Sequence, residues 1–175
     1  MNSEAKKKIF IALVPGAETQ QQICKLTSLH INQTGGRVIP APNLHLTLNF
    51  LGLQSNDVIH PLLRLLARLP FASFNLTLDR IGFWKRSGII WLGCSRECHQ
   101  LTELVYHYRD VVRALGIQTD TGTFVPHITL LRKARKKVDI SFPPFTWQVN
   151  SPVLLWSRNT ARGVEYQELR QAPEL

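Results

Sequence analysis

Apolar residues run unbroken from Ile9 to Val14 and stop at Pro15, a pattern that predicts a strand buried on both faces. Residues 18–31 change period: Ile23, Leu26, Leu29 and Ile31 recur at helical spacing, and Thr19 stands where a capping hydroxyl belongs. Gly35-Gly36 interrupts this helix. Pro40 and Pro42 then hold the chain extended, because proline disfavours the helical basin for the residue before it. A strand is expected over 44–51, closed by Gly52. Residues 55–69 read as a second helix, with Val58, Leu62, Leu65, Leu66 and Leu69 as its apolar stripe and Pro70 beyond its end. Alternation predicts a strand over 74–81, a turn at Ser87-Gly88 and another strand over 89–92. The longest helix is expected over 97–115, with Leu101, Leu104, Val105, Tyr108, Val111, Val112 and Leu115 on one face and Gly116 as its stop. A short strand over 127–131 and two more near 146–156 and 164–169 complete the pattern.

These elements contain a repeat. Apolar strand, amphipathic helix and proline-preceded strand occur over 9–51 and again over 89–131. The closing strands share their letters, Leu44-His45-Leu46-Thr47-Leu48 against Pro126-His127-Ile128-Thr129-Leu130. The histidines are 82 positions apart (45 to 127) and the apolar strands 80 (9 to 89), so helix and loop lengths nearly agree. Two equivalent halves about an approximate two-fold axis are expected.

Successive side chains of a strand point to opposite faces, so His45 and Thr47 share one face while Leu46 and Leu48 fill the other. His127 and Thr129 stand in the same relation to Ile128 and Leu130. Confronted across a two-fold, the polar faces would hold two imidazoles and two hydroxyls in one cleft. That set suits in-line displacement at phosphorus: a neutral imidazole takes a proton from the attacking water, and an imidazolium protonates the leaving oxygen. Threonine hydroxyls can hold the non-bridging oxygens as charge builds on them. A single His-x-Thr is weak evidence, since a lone histidine in an apolar strand is usually structural. Two, each followed by Leu at equivalent places of a repeat, are hard to ascribe to chance.

Composition narrows the field further. The 175 residues suit one domain of two lobes sharing a core, over 1–175. Lys and Arg number 21 against 12 Asp and Glu, a net charge of +9 that attracts polyanions, nucleic acid above all. Cys24, Cys94 and Cys98 offer no disulfide framework and no zinc spacing, and no acidic cluster invites magnesium, so neither metal nor cofactor is expected. Lys6-Lys7-Lys8 ahead of the apolar run imitates a signal peptide, but six apolar residues are too few, and a first strand explains them better. No run is long enough to cross a membrane as a helix, and a cytoplasmic protein is expected.

The motifs resemble those of the two-histidine (2H) phosphoesterases, whose paired His-x-Thr-x motifs lie about eighty residues apart. The stretches Asn43-Leu44-His45-Leu46-Thr47-Leu48-Asn49-Phe50-Leu51-Gly52 and Pro126-His127-Ile128-Thr129-Leu130-Leu131-Arg132 look like the bacterial and archaeal RNA 2′,3′-cyclic phosphodiesterases, first described as 2′-5′ RNA ligases. The resemblance implies a bilobed α+β fold of duplicated β-α-β-α-β units, with antiparallel sheets flanking a V-shaped cleft. It implies hydrolysis of RNA 2′,3′-cyclic phosphate ends to 2′-phosphates, with His45 as proton donor, His127 as acceptor, and Thr47 and Thr129 as phosphate ligands. RNA with such ends or a related nucleotide is then the partner, with no membrane and no protein partner, the chain acting as a monomer. Ligation through a 2′-5′ linkage, or binding without turnover, would use the same cleft.

Other residues are less pointed. Arg132 could neutralise the phosphate, yet strict alternation places it on the face opposite His127, so it reaches the site only if the strand twists or ends there. Phe50 shares parity with Leu46 and Leu48 and is assigned to the core. Arg132, Lys133, Arg135, Lys136 and Lys137 crowd five positive charges into six residues, a solvated loop or a track for an RNA backbone. Trp84-Lys85-Arg86 at a hairpin tip could stack a base or simply pack. His30, His60, His99 and His107 have no repeated partner and belong on the surface.

Overall fold

A computed structural model describes residues 6–29, 34–120, 122–161 and 163–171. Among these residues ten strands and three α-helices follow in the order β1 (Lys7–Leu13), α1 (Ala17–Ser28), β2 (Arg37–Val38), β3 (Leu46–Gln54), α2 (Asn56–Leu66), β4 (Phe74–Leu78), β5 (Arg80–Trp84), β6 (Ile89–Gly93), α3 (His99–Ala114), β7 (Ile128–Arg132), β8 (Phe145–Val149), β9 (Val153–Thr160) and β10 (Gly163–Leu169). The architecture is α+β, and every strand pairing is antiparallel. One path runs β10-β9-β1-β3-β7-β6-β5, with β2 added against β7, while β4 and β8 form a separate pair.

The repeat is visible in this order. In each half an apolar strand pairs with the His-x-Thr strand that follows it, β1 with β3 and β6 with β7. The halves join where β3 meets β7, through the single pair Leu46↔Ile128. Those two residues are equivalent in the repeat. A residue lying antiparallel to its own counterpart marks the two-fold axis, so the axis passes between them. The second half carries α3 alone, because the chain after β7 runs irregularly through Pro143 and Pro144.

Helices α1, α2 and α3 pack on one side through Ile23, Leu26, Ile59, Leu62, Leu101, Val105, Tyr108 and Val112, in one core with Ile9, Ile11, Leu46 and Ile128. On its other side β1 buries Phe10 and Ala12 against Leu155, beneath Tyr166. That double burial is why Ile9 to Val14 shows no polar alternation.

Several boundaries differ from the pattern. Thr19 does not cap α1; Gly16 holds that place, and Thr19 is buried inside the first turn. The helix is described to Ser28, and residues 30–33, with His30, lie outside the described residues. Gly52 does not end β3 but sits inside it at φ 70°, in a second irregularity of the β1 pairing. The predicted strand over 74–81 breaks at Asp79, whose carboxylate takes the backbone N–H of Ser95 at 2.6 Å, so β4 and β5 join different sheets. The stretch 146–156 likewise divides at Pro152, which cannot donate to a ladder.

Candidate active site

His45 and His127 each precede the first residue of their strand, β3 and β7. Extended backbone there lets each ring reach back to its own chain. Nδ1 of His45 donates to the Asn43 carbonyl at 2.7 Å, and Nδ1 of His127 donates to the Val125 carbonyl at 2.8 Å. A carbonyl only accepts, so Nδ1 carries the hydrogen in both rings and Nε2 is the nitrogen not engaged by that carbonyl. The two bonds are equivalent in the repeat.

Both histidines line one cavity of about 500 Å³, together with Thr47, Thr129, Arg132 and Arg37. Lys8, Phe10, Phe50 and Tyr166 complete most of its wall. All five site residues expected from the sequence therefore meet in one cleft. Arg132 arrives by a route that simple alternation does not contain. On β7, Trp91 pairs with Thr129 and Ile90 with Leu131, so Leu130 is an extra residue, a β-bulge. The bulge resets the alternation: Leu130 and Leu131 are both buried, and Arg132 returns to the face of His127 and Thr129.

The same bulge occurs on β3. Ala12 pairs with Thr47 and Ile11 with Asn49, leaving Leu48 extra. It turns Asn49 inward, 3% exposed, and Phe50 outward into the cleft, 54% exposed. The assignment of Phe50 to the core is thus corrected, for a physical reason the parity count omits. Phe50 is the repeat counterpart of Arg132, so the two walls of the cleft differ: one presents an aromatic ring, the other a guanidinium.

Each imidazole rests edge-on against an aromatic neighbour. Tyr166 stands 4.7 Å from His45 and Phe10 5.0 Å. Trp84 stands 4.6 Å from His127 and is itself backed by Trp91 at 5.5 Å. Trp91 lies across Gly82, where a Cβ would fall 2.0 Å from the indole, so only glycine fits beneath it. Trp84 is accordingly a packing residue for a site histidine, while Lys85 and Arg86 beyond it are exposed. Asn43 stands two residues before His45. Its side chain donates to the Val164 carbonyl at 2.8 Å and accepts the Tyr166 N–H at 3.2 Å. It thus ties β10 and Tyr166 to the turn whose carbonyl holds His45. A strand-end contact between residues this far apart in sequence leaves no periodic signal.

Electrostatics follow from burial. His45 is lowered from 6.5 to about 4, chiefly because burial penalises the imidazolium; the Asn43 bond opposes this, and His127 and Arg132 add repulsion. His127 is lowered by burial too, against its Val125 bond, with Arg132 adding repulsion. Burial therefore favours two neutral rings. An anion is the ligand that would reverse the preference. Among the described residues no group of three or more His, Cys, Asp or Glu converges as a metal site. The cysteines are free thiols. His60, His99 and His107 are exposed on α2 and α3.

Comparison with known proteins agrees with this arrangement. A family model described as LigT like Phosphoesterase matches residues 14–91. A protein of Escherichia coli (strain K12) named RNA 2′,3′-cyclic phosphodiesterase is 36% identical over 158 residues, 90% of either chain. The crystal structure of E. coli LigT in apo form superposes with a TM-score of 0.85 at 33% identity, covering 95% of this chain and 96% of that one. E. coli LigT complexed with 3′-AMP gives 0.83 at 35% identity, over 94% and 96%.

Proposed function

The chain belongs to the LigT-like phosphoesterase family of the two-histidine superfamily, and from that premise we propose that it hydrolyses RNA 2′,3′-cyclic phosphate ends to 2′-phosphomonoesters. The observation that carries this reading is the matched pair of Nδ1–carbonyl bonds, which leaves two Nε2 atoms for one cleft that also holds two threonines and an arginine. Binding alone needs no such pair of titratable groups. Proton transfer in two directions does.

In the step proposed, Nε2 of His127 takes a proton from water as its oxygen bonds to phosphorus. The bond from phosphorus to O3′ breaks, and Nε2–H of His45 gives its proton to the departing O3′. Thr47 and Thr129 donate to the non-bridging oxygens, which gain charge in the transition state. Arg132 neutralises the phosphate as a positioned cation. The product is a 2′-phosphate with a free 3′-hydroxyl, and exchange with solvent resets the two rings. The bound phosphate supplies the missing condition for the acid, because its negative charge restores the proton affinity that burial removes from His45.

Incubation with an oligonucleotide ending in a cyclic phosphate tests this directly. A 2′-phosphomonoester is the expected product. A product joined 2′-5′ would make the chain a ligase under those conditions, and unchanged substrate with measurable binding would leave only a binding module.

A further inference from the structure

The basic residues outside the cleft are gathered, not scattered. Ala134 N–H donates to the Gly88 carbonyl at 2.9 Å, joining the loop after β7 to the tip of the β5–β6 hairpin, and Arg135 N–H holds the same loop to the Thr34 carbonyl, ahead of β2, at 2.9 Å. Gly88, at φ 61°, meets Ala134 so closely that a Cβ would lie 2.9 Å from its carbonyl oxygen. Lys133 takes the left-handed conformation at φ 59°, turning the chain onto the hairpin. Two loops distant in sequence thus form one ledge.

That ledge exposes Lys85, Arg86, Lys133, Arg135 and Lys136. Lys137 is taken up by Asp139 at 2.7 Å, whereas none of the other five has a carboxylate within 4.0 Å among the described residues. The ledge leads from the cleft. Arg132 ends β7 and lies directly opposite Arg37 of β2, and both line the cavity. Like charges directly opposed across an antiparallel ladder are destabilising. A row of uncompensated cations continuous with such a pair is suited to a polyanion that lies along it.

We propose that this ledge is a track for the RNA backbone on the 5′ side of the reacting end, which makes the preferred substrate an oligonucleotide of several residues and not a small cyclic-phosphate nucleotide. The inference rests on the proposed function, since the cleft must hold the 3′ end for the preceding phosphates to reach the ledge. A dinucleotide fills the cleft alone, while a longer strand also crosses the ledge.

The experiment compares kcat/KM for cyclic-phosphate-ended RNA of two, four, eight and twelve residues, at about 50 and 200 mM salt, in the full chain and in the variant Arg86→Glu, Arg135→Glu, Lys136→Glu. Neutralising three phosphates of a single strand gives a salt slope near −2, or roughly a 15-fold change over that range. The wild type is expected to gain about 10-fold with length, the gain shrinking at the higher salt. The variant should lose that gain and keep dinucleotide turnover within about 2-fold. No length gain in the wild type, or an equal fall for short and long substrates in the variant, overturns the track. The wild-type series needs no variant to fold. Failure of the catalytic reading looks different: no dinucleotide is turned over, while anisotropy of a labelled twelve-residue RNA with a 3′-phosphate still shows tight binding that the variant loses.

Discussion

His45 and His127 are each held by a backbone carbonyl two residues back, with an aromatic edge against the ring. General acid–base assistance contributes about 10² to 10⁴ in rate, so His45→Ala and His127→Ala are each expected to lower turnover by that order with the fold retained. In the proposed mechanism Thr47→Val and Thr129→Val would each remove one hydrogen bond to a charged oxygen and should cost less, roughly 10-fold to 10³-fold. Near-wild-type turnover in a folded alanine variant removes that histidine from the mechanism. Burial also sets a pH dependence. Both free-state values lie below 6.5, with His45 at about 4, so both rings are neutral at pH 7, which suits the proposed base and leaves the proposed acid without its proton. Protonation gains as pH falls, and kcat/KM, which reports the free enzyme, should peak on the acid side of 6.5. Bound phosphate raises proton affinity, so the kcat profile should be displaced to higher pH. A kcat/KM maximum above pH 7 would contradict this account. The pair and its threonines were legible because a repeat doubled them. Asn43 and Tyr166 were not, because their contacts join turn to distant strand.

At the scale of the element, most of the fold could be read, and the misreadings share a cause. Periodicity located β1, β3, β6, β7 and three helices, since each buries a stripe against a common core. It misplaced Phe50 and left Arg132 on the wrong face because a count by twos assumes an unbroken pleat. One extra residue, Leu48 on β3 and Leu130 on β7, inverts the positions that follow it, on β3 until the second irregularity before Gly52. No residue type announces such a bulge, and here a buried leucine occupies it in both copies. Phe50 offers a clean measurement. A core Phe→Ala change costs about 3–5 kcal/mol. In the bulged strand Phe50 is half exposed, with a ring contact to Phe10 at 5.8 Å. Phe50→Ala should therefore cost under about 1.5 kcal/mol in a denaturant titration, close to what an aromatic pair contributes. A loss of 3 kcal/mol or more would restore the parity assignment.

At the scale of the molecule, the question is whether two equivalent halves make two sites or one. The axis through Leu46↔Ile128 brings both His-x-Thr strands to the wall of one cavity that holds both histidines, and a smaller cavity beside it that His127 also lines takes Thr47 and Phe50 from the other half. The halves have also diverged where the pair does not need them alike, with Phe50 facing Arg132 across the repeat. One displacement needs a base on one side and an acid on the other, so each half would supply one proton transfer of a shared reaction. Two independent half-sites would behave differently. Removing one histidine would then leave about half the rate, and removing both would abolish it. In the composite site either single alanine variant already loses most of the rate, and the double variant falls far less than the product of the two losses, because both changes disable the same step. Ligand counting separates the alternatives without turnover. Calorimetric titration with a 3′-phosphorylated nucleotide is expected to give one site per chain, weakened by either histidine substitution as well as by Arg132→Ala. A stoichiometry of two, or a histidine substitution that leaves one full-affinity site intact, would divide the cleft into independent halves and end the shared mechanism.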